Sequence, residues 1–78
     1  MGAAKLRLYG THFCHLCHDA ELILHEAGIL FVYVDITDDD VLIDRYAQQV
    51  PVLQRVDTGT ELGWPFDVAQ VISLCKSV

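Results

Sequence analysis

The chain has 78 residues, 53% of them hydrophobic and 21% charged, a composition that supports one globular domain over residues 1–78 and excludes a disordered chain. Its net charge of −6, with the five basic residues scattered, argues against nucleic acid and anionic membranes as partners, since both require clustered Lys and Arg. No apolar run reaches the ~18 residues of a membrane span and no signal peptide opens the chain. With an odd count of three cysteines, the expectation is a cytoplasmic monomer in a reducing compartment, where paired cysteines are catalytic or metal-binding more often than structural.

Residues 5–9 alternate polar and apolar side chains, which predicts a strand. The pattern turns helical over residues 14–27. At about 100° per residue, Leu16, Ala20, Ile23, Leu24 and Ala27 form one stripe, and Gly28 supplies the stop. Residues 30–35 are β-branched and aromatic, predicting a strand buried on both faces.

The acidic run TDDD at 37–40 is read as a helix cap in preference to a hard-cation site. Thr37 or Asp38 is the N-cap of a second helix over 38–48, with Val41, Leu42 and Tyr46 inward. Val50-Pro51 precedes a third strand at 52–56, and the turn DTGT joins it in a hairpin to a short fourth strand at 61–63. Residues 66–75 read as a last helix, with Pro65 near its first turn. Its inward stripe is Val68, Val71, Ile72 and Cys75, which makes Cys75 a small buried hydrophobe rather than a regulatory thiol. Trp64 and Phe66 are read as core in preference to an apolar rim.

The order is βαβαββα. Its first two strands are parallel through a right-handed crossover and its last two antiparallel, so the fold class is α/β: a four-stranded mixed sheet flanked by helices on both faces. This order, with a C-x-x-C directly after the first strand and a Val-Pro before the third, resembles the thioredoxin fold.

In that position Cys14 lies at a helix N-terminus, where unpaired N–H groups and the macrodipole favour a thiolate and can lower a thiol pKa from about 8.5 to roughly 3.5–7.5. Cys17 follows one turn later, near enough to close a disulfide with little backbone movement. On the helical wheel Cys14 lies nearly opposite the apolar stripe and Cys17 on its border. Cys14 is therefore the expected exposed nucleophile and Cys17 the half-buried resolving thiol. His15 either supports the thiolate or is a solvated loop residue. Cys14, Cys17 and His18 could jointly hold zinc, although ligands drawn from one turn make a poor structural site; no metal is expected.

The segments LYGTHFCHLCHDA and VPVL…GTELGWPFD together resemble the small glutaredoxin-like proteins, a mostly bacterial family once catalogued under a domain of unknown function. The resemblance covers nearly the whole chain, with C-H-L-C and W-P-F-D its most specific parts. It implies that Cys14 and Cys17 are the redox pair. It also implies a cis Val50–Pro51 bond facing them, with the Val50 backbone offered to an extended peptide or glutathione. His12, Phe13, His15, Val50 and Pro51 are the expected substrate-binding residues.

True glutaredoxins carry C-P-Y-C or C-G-F-S, a Lys before that loop, and a Gly-Gly turn for a glutathione carboxylate. Here Thr11, His12 and Phe13 precede the motif, Gly63-Trp64-Pro65 replaces the turn, and Pro65 removes a donor. The expected activity is thiol–disulfide exchange on protein or low-molecular-weight disulfides. No cofactor is required, glutathione is a disfavoured option, and its carboxylates would have only exposed backbone N–H groups, His12 or Arg45. The alternatives are a thiolate metal or iron–sulfur carrier and a non-catalytic adaptor of the same fold.

Overall fold

The computed structural model describes residues 6–12 and 14–76. Four strands form one sheet: β1 (Leu6–Gly10), β2 (Val32–Asp35), β3 (Val52–Arg55) and β4 (Glu61–Gly63), in the order β2-β1-β3-β4. β1 runs parallel to β2, with Leu8 opposite Tyr33, and antiparallel to β3, with Leu8 opposite Leu53. β3 and β4 are antiparallel, as a hairpin requires. Three helices complete the predicted order: α1 (His15–Glu26), α2 (Asp40–Tyr46) and α3 (Val68–Lys76). The expected start of the first strand at Lys5 lies outside the described residues.

Strand alternation divides the core in two. Leu6 and Leu8 of β1 point to the face covered by α1 and α3, where they pack with Ala20, Leu24, Leu53, Phe66, Val71 and Leu74. Tyr9 points to the opposite face and packs with Ile36, Tyr46 and Val52 beneath α2. The Tyr9 and Tyr46 rings stack there at 4.6 Å, so one aromatic pair secures much of a seven-residue helix.

Local signals explain the element ends. Cys14 is the N-cap of α1, and Gly28 closes it at φ 71 in a Schellman arrangement: its N–H donates to the His25 carbonyl at 3.0 Å, and that of Ile29 to Leu24 at 3.1 Å. Asp67 and Gln70 exchange the reciprocal bonds of a capping box at 2.8 and 3.0 Å, fixing the start of α3. That helix therefore begins at Val68, two residues later than expected. Pro65 precedes it after a cis Trp64–Pro65 bond instead of occupying its first turn.

Several expectations are corrected. The stripe of α1 is turned: Cys17, Ala20 and Leu24 are its buried residues, whereas Leu16 is 47% exposed. β2 is an edge strand, not one buried on both faces, so Val32 is 62% exposed and Leu30, before the strand, 88%. The capping side chains here are Asp35, just before the acidic run, on a 3-10 turn at Ile36–Asp38, and Asp39, within it, on α2; neither Thr37 nor Asp38 caps. α2 is correspondingly shorter than residues 38–48. Val41 faces solvent, while Tyr46 is buried and Leu42 packs against its cluster. In α3 the buried residues are Val71 and Leu74, while Ile72 is exposed and Cys75 half-buried. Phe66 is core, and Trp64 packs beside it edge-to-face at 5.1 Å while keeping part of its surface open.

Candidate functional site at the N-terminus of the first helix

β1 delivers the chain at Gly10 to a short loop that turns into α1. At that junction Cys14 is extended (φ −107, ψ 108), and its Sγ accepts the Cys17 N–H at 3.1 Å while its carbonyl accepts the His18 N–H at 3.1 Å. The sulfur thus occupies the place a Ser or Asp oxygen takes in an ordinary N-cap, where helix donors and dipole favour negative charge. Cys14 is half-buried; Cys17, one turn on, is only 2% exposed. The expected half-buried resolving thiol is in fact a core residue, because α1 turns this border position toward the sheet.

Burial pushes the Cys17 thiol up from an ordinary 9.0 to about 12; its hydrogen bond and charge interaction with Cys14 add to this, as does Glu21, while a bond from the Thr11 backbone opposes it. Two of these causes belong to Cys14.

Gly10 explains the close fit. A Cβ there would lie 2.7 Å from the Tyr33 hydroxyl and 3.1 Å from Cys17 Sγ, so only glycine lets the strand, β2 and the thiol approach one another. Tyr33 donates to the Thr11 carbonyl at 3.2 Å, tying the loop whose N–H faces Cys17 to the sheet edge. Its own hydroxyl is pushed up to about 12, by burial first and then by Cys17.

His12 turns to the end of β2, its Nε2 lying 2.7 Å from Asp35 Oδ2. Asp35 is held below the ordinary carboxylate range chiefly by the Thr37 hydroxyl, then by the Thr37 N–H, with His12 a smaller cause. His15 is exposed, and Phe13 lies outside the described residues. Among the described residues no three His, Cys, Asp or Glu side chains assemble into a metal-holding group, so Cys14, Cys17 and His18 do not form one together. The Val50–Pro51 bond is cis, and Pro51 is fully buried. The Val50 N–H donates to the Tyr46 carbonyl at 3.1 Å.

A cleft of about 590 Å³ adjoins this helix end. Leu16, Val50 and Trp64 form its apolar walls, and Gln48, Gln49 and Glu61 add polar groups; among the described residues no Lys or Arg lines it. Arg45 borders a neighbouring cavity that shares Gln48 and Gln49 with the cleft. Glu61 is held from behind, since its Oε2 accepts from the Tyr46 hydroxyl and, at 3.4 Å, from Gln54 Nε2. Gln54 in turn accepts from Tyr9 at 2.9 Å. Sequence reasoning missed Gly10, Tyr33, Leu16 and Glu61 as site residues. A glycine ending a strand just before a reactive motif was the one signal available.

No helix among the described residues is long and apolar enough to cross a membrane. Comparison with solved structures returns a protein of X. campestris, target XcR50, at 38% identity. Its X-ray structure matches 94% of this chain and 97% of that one with a TM-score of 0.85, and its solution structure matches with 0.82. The solution structure of Ne2328 from Nitrosomonas europaea, 23% identical over 97% of this chain and 95% of that one, shares the fold with a TM-score of 0.75. No curated protein matches the chain. The family model described as glutaredoxin-like domain (DUF836) matches residues 5–76, and the chain belongs to that family, with its thioredoxin-like fold.

Proposed function

We propose that the protein is a thiol–disulfide oxidoreductase in which Cys14 is the nucleophile and Cys17 the resolving thiol. The observation that carries this reading is the Cys14 sulfur at the helix N-cap, accepting the N–H of a buried second cysteine one turn away. A helix N-terminus is a setting that favours negative charge, and the thiolate is the reactive form of a cysteine.

Cys14 attacks one sulfur of a substrate disulfide, forming a mixed disulfide and expelling the other sulfur as a thiolate that takes a proton from water. Cys17 then gives its proton to solvent and attacks Cys14 Sγ. The Cys14–Cys17 bond forms as the remaining substrate thiolate leaves. The substrate gains two electrons and the protein dithiol loses two, which a small thiol or dithiol donor restores. Loss of the Cys14 charge in the mixed disulfide removes part of what holds the Cys17 proton, so the resolving thiol is eased toward reaction at the step that uses it.

The proposed substrates are disulfides of proteins or small molecules in the cytoplasm, with no bound cofactor. Glutathione is disfavoured by a cleft without basic residues. The test is trapping with Cys17→Ser. The variant is expected to accumulate a mixed disulfide with a model disulfide and with proteins of a lysate, cleared by dithiothreitol. A folded Cys17→Ser protein that forms no such adduct with any disulfide would end the catalytic reading.

A further inference from the structure

We propose that Glu61 is a binding residue for a cationic side chain, and that the preferred substrate is a disulfide whose flanking peptide carries Lys or Arg. The placement of that peptide beside Cys14 rests on the oxidoreductase reading; the recognition of positive charge does not.

Glu61 lies on the rim of the sheet in β4 and lines the cleft next to α1. Both hydrogen bonds it receives fall on one oxygen, Oε2, from Tyr46 and Gln54. The Tyr46 ring is itself held by its stack on Tyr9, and Gln54 by the Tyr9 hydroxyl. The carboxylate is therefore oriented by three side chains from β1, β3 and α2, while Oε1 receives no hydrogen bond among the described residues. An acceptor fixed in this way loses little freedom on meeting a donor.

The rest of the lining suits the same ligand. Leu16 and Trp64 offer apolar surface for the aliphatic stem of Lys or Arg, and the Trp64 ring can take a cation on its face. Gln48 and Gln49 supply amides for peptide groups. With no Lys or Arg in the lining among the described residues and a net charge of −6 on the chain, the field favours approach of a basic segment and opposes a ligand with two carboxylates.

The experiment is an NMR titration of the full chain with two S-methylated peptides identical except for Lys or Glu beside the modified cysteine. Single-turnover reduction of 2-hydroxyethyl disulfide is measured in parallel. The Lys peptide is expected to bind about tenfold more tightly, as a charge-assisted hydrogen bond allows, with shifts centred on Glu61 and Trp64. The preference should fall to about twofold or less in Glu61→Gln, which keeps an acceptor for Tyr46, and invert in Glu61→Lys. Equal affinities in the wild type, or a preference unchanged in Glu61→Gln, overturn the assignment. A charge preference without reduction of the small disulfide keeps Glu61 and refutes the oxidoreductase. Reduction without a charge preference does the reverse.

Discussion

The N-terminus of α1 and the C-terminus of α3 each bring a cysteine to a helix end, and the two ends are finished with opposite chemistry. At α1 a backbone N–H meets Cys14 Sγ at 3.1 Å, and the sulfur stays partly open to solvent. At α3 the Leu74 and Cys75 carbonyls accept from the Arg55 guanidinium at 2.9 and 3.2 Å; Arg55 is only 9% exposed and is paired with Asp57 at 2.7 Å. Burial raises the Cys75 thiol, with the Arg55 charge opposing it. The two helix ends thus differ in the groups that complete them. Donors around an accessible sulfur prepare chemistry; a cation over the last carbonyls spends the dipole on stability.

The largest expected contrast is in activity. Cys14→Ser should lower single-turnover reduction of a small neutral disulfide by about three orders of magnitude or more, since the nucleophile is gone. Cys75→Ser should leave the rate within about twofold. A comparable loss from both would erase the distinction between the two ends.

The order reverses for stability. Arg55→Met removes charged hydrogen bonds to two carbonyls in a largely buried setting and should cost about 2–4 kcal/mol in urea unfolding. Cys14→Ser keeps an oxygen at the N-cap and should change stability by less than about 1 kcal/mol. A cost below that for Arg55→Met would mean that water serves the α3 carbonyls equally well.

The smallest effect is a pH dependence. Because the folded state raises the Cys17 pKa from 9.0 to about 12, it holds that proton more tightly than the unfolded chain does. The stabilisation is complete below pH 9 and is lost as pH rises through the interval to 12. Unfolding midpoints should therefore decline above pH 9, less steeply in Cys17→Ala. Equal slopes in the two proteins would show that the alkaline loss has another source.

The order of elements along the chain and the C-x-x-C junction were legible because period-two and period-3.6 patterns are separated here by Gly28, Pro51 and the DTGT turn. Phasing the helices was harder. α3 reads VAQVISLC, with apolar residues on more than one side, so Ile72 and Leu74 compete for the core and only packing decides for Leu74. Strand β2 has a central strand's composition yet lies at the edge, since composition does not report which strands flank it. The cleft was illegible for a related reason: Leu16, Val50, Glu61 and Trp64 are distant in sequence and meet only through the crossover and hairpin. The D-x-x-Q capping box at Asp67 was readable and went unread.

β1 is bonded to a strand on each side, its Leu6 and Leu8 belong to one core cluster and its Tyr9 to the other, and its last residue, Gly10, lies beneath Cys17. Such a segment has little to gain from a partial opening of its own, and its amide hydrogens are expected to be among the slowest of the chain to exchange. Reagents diffusing in solution should therefore meet Cys14 well before Cys17, which is only 2% exposed in the native fold.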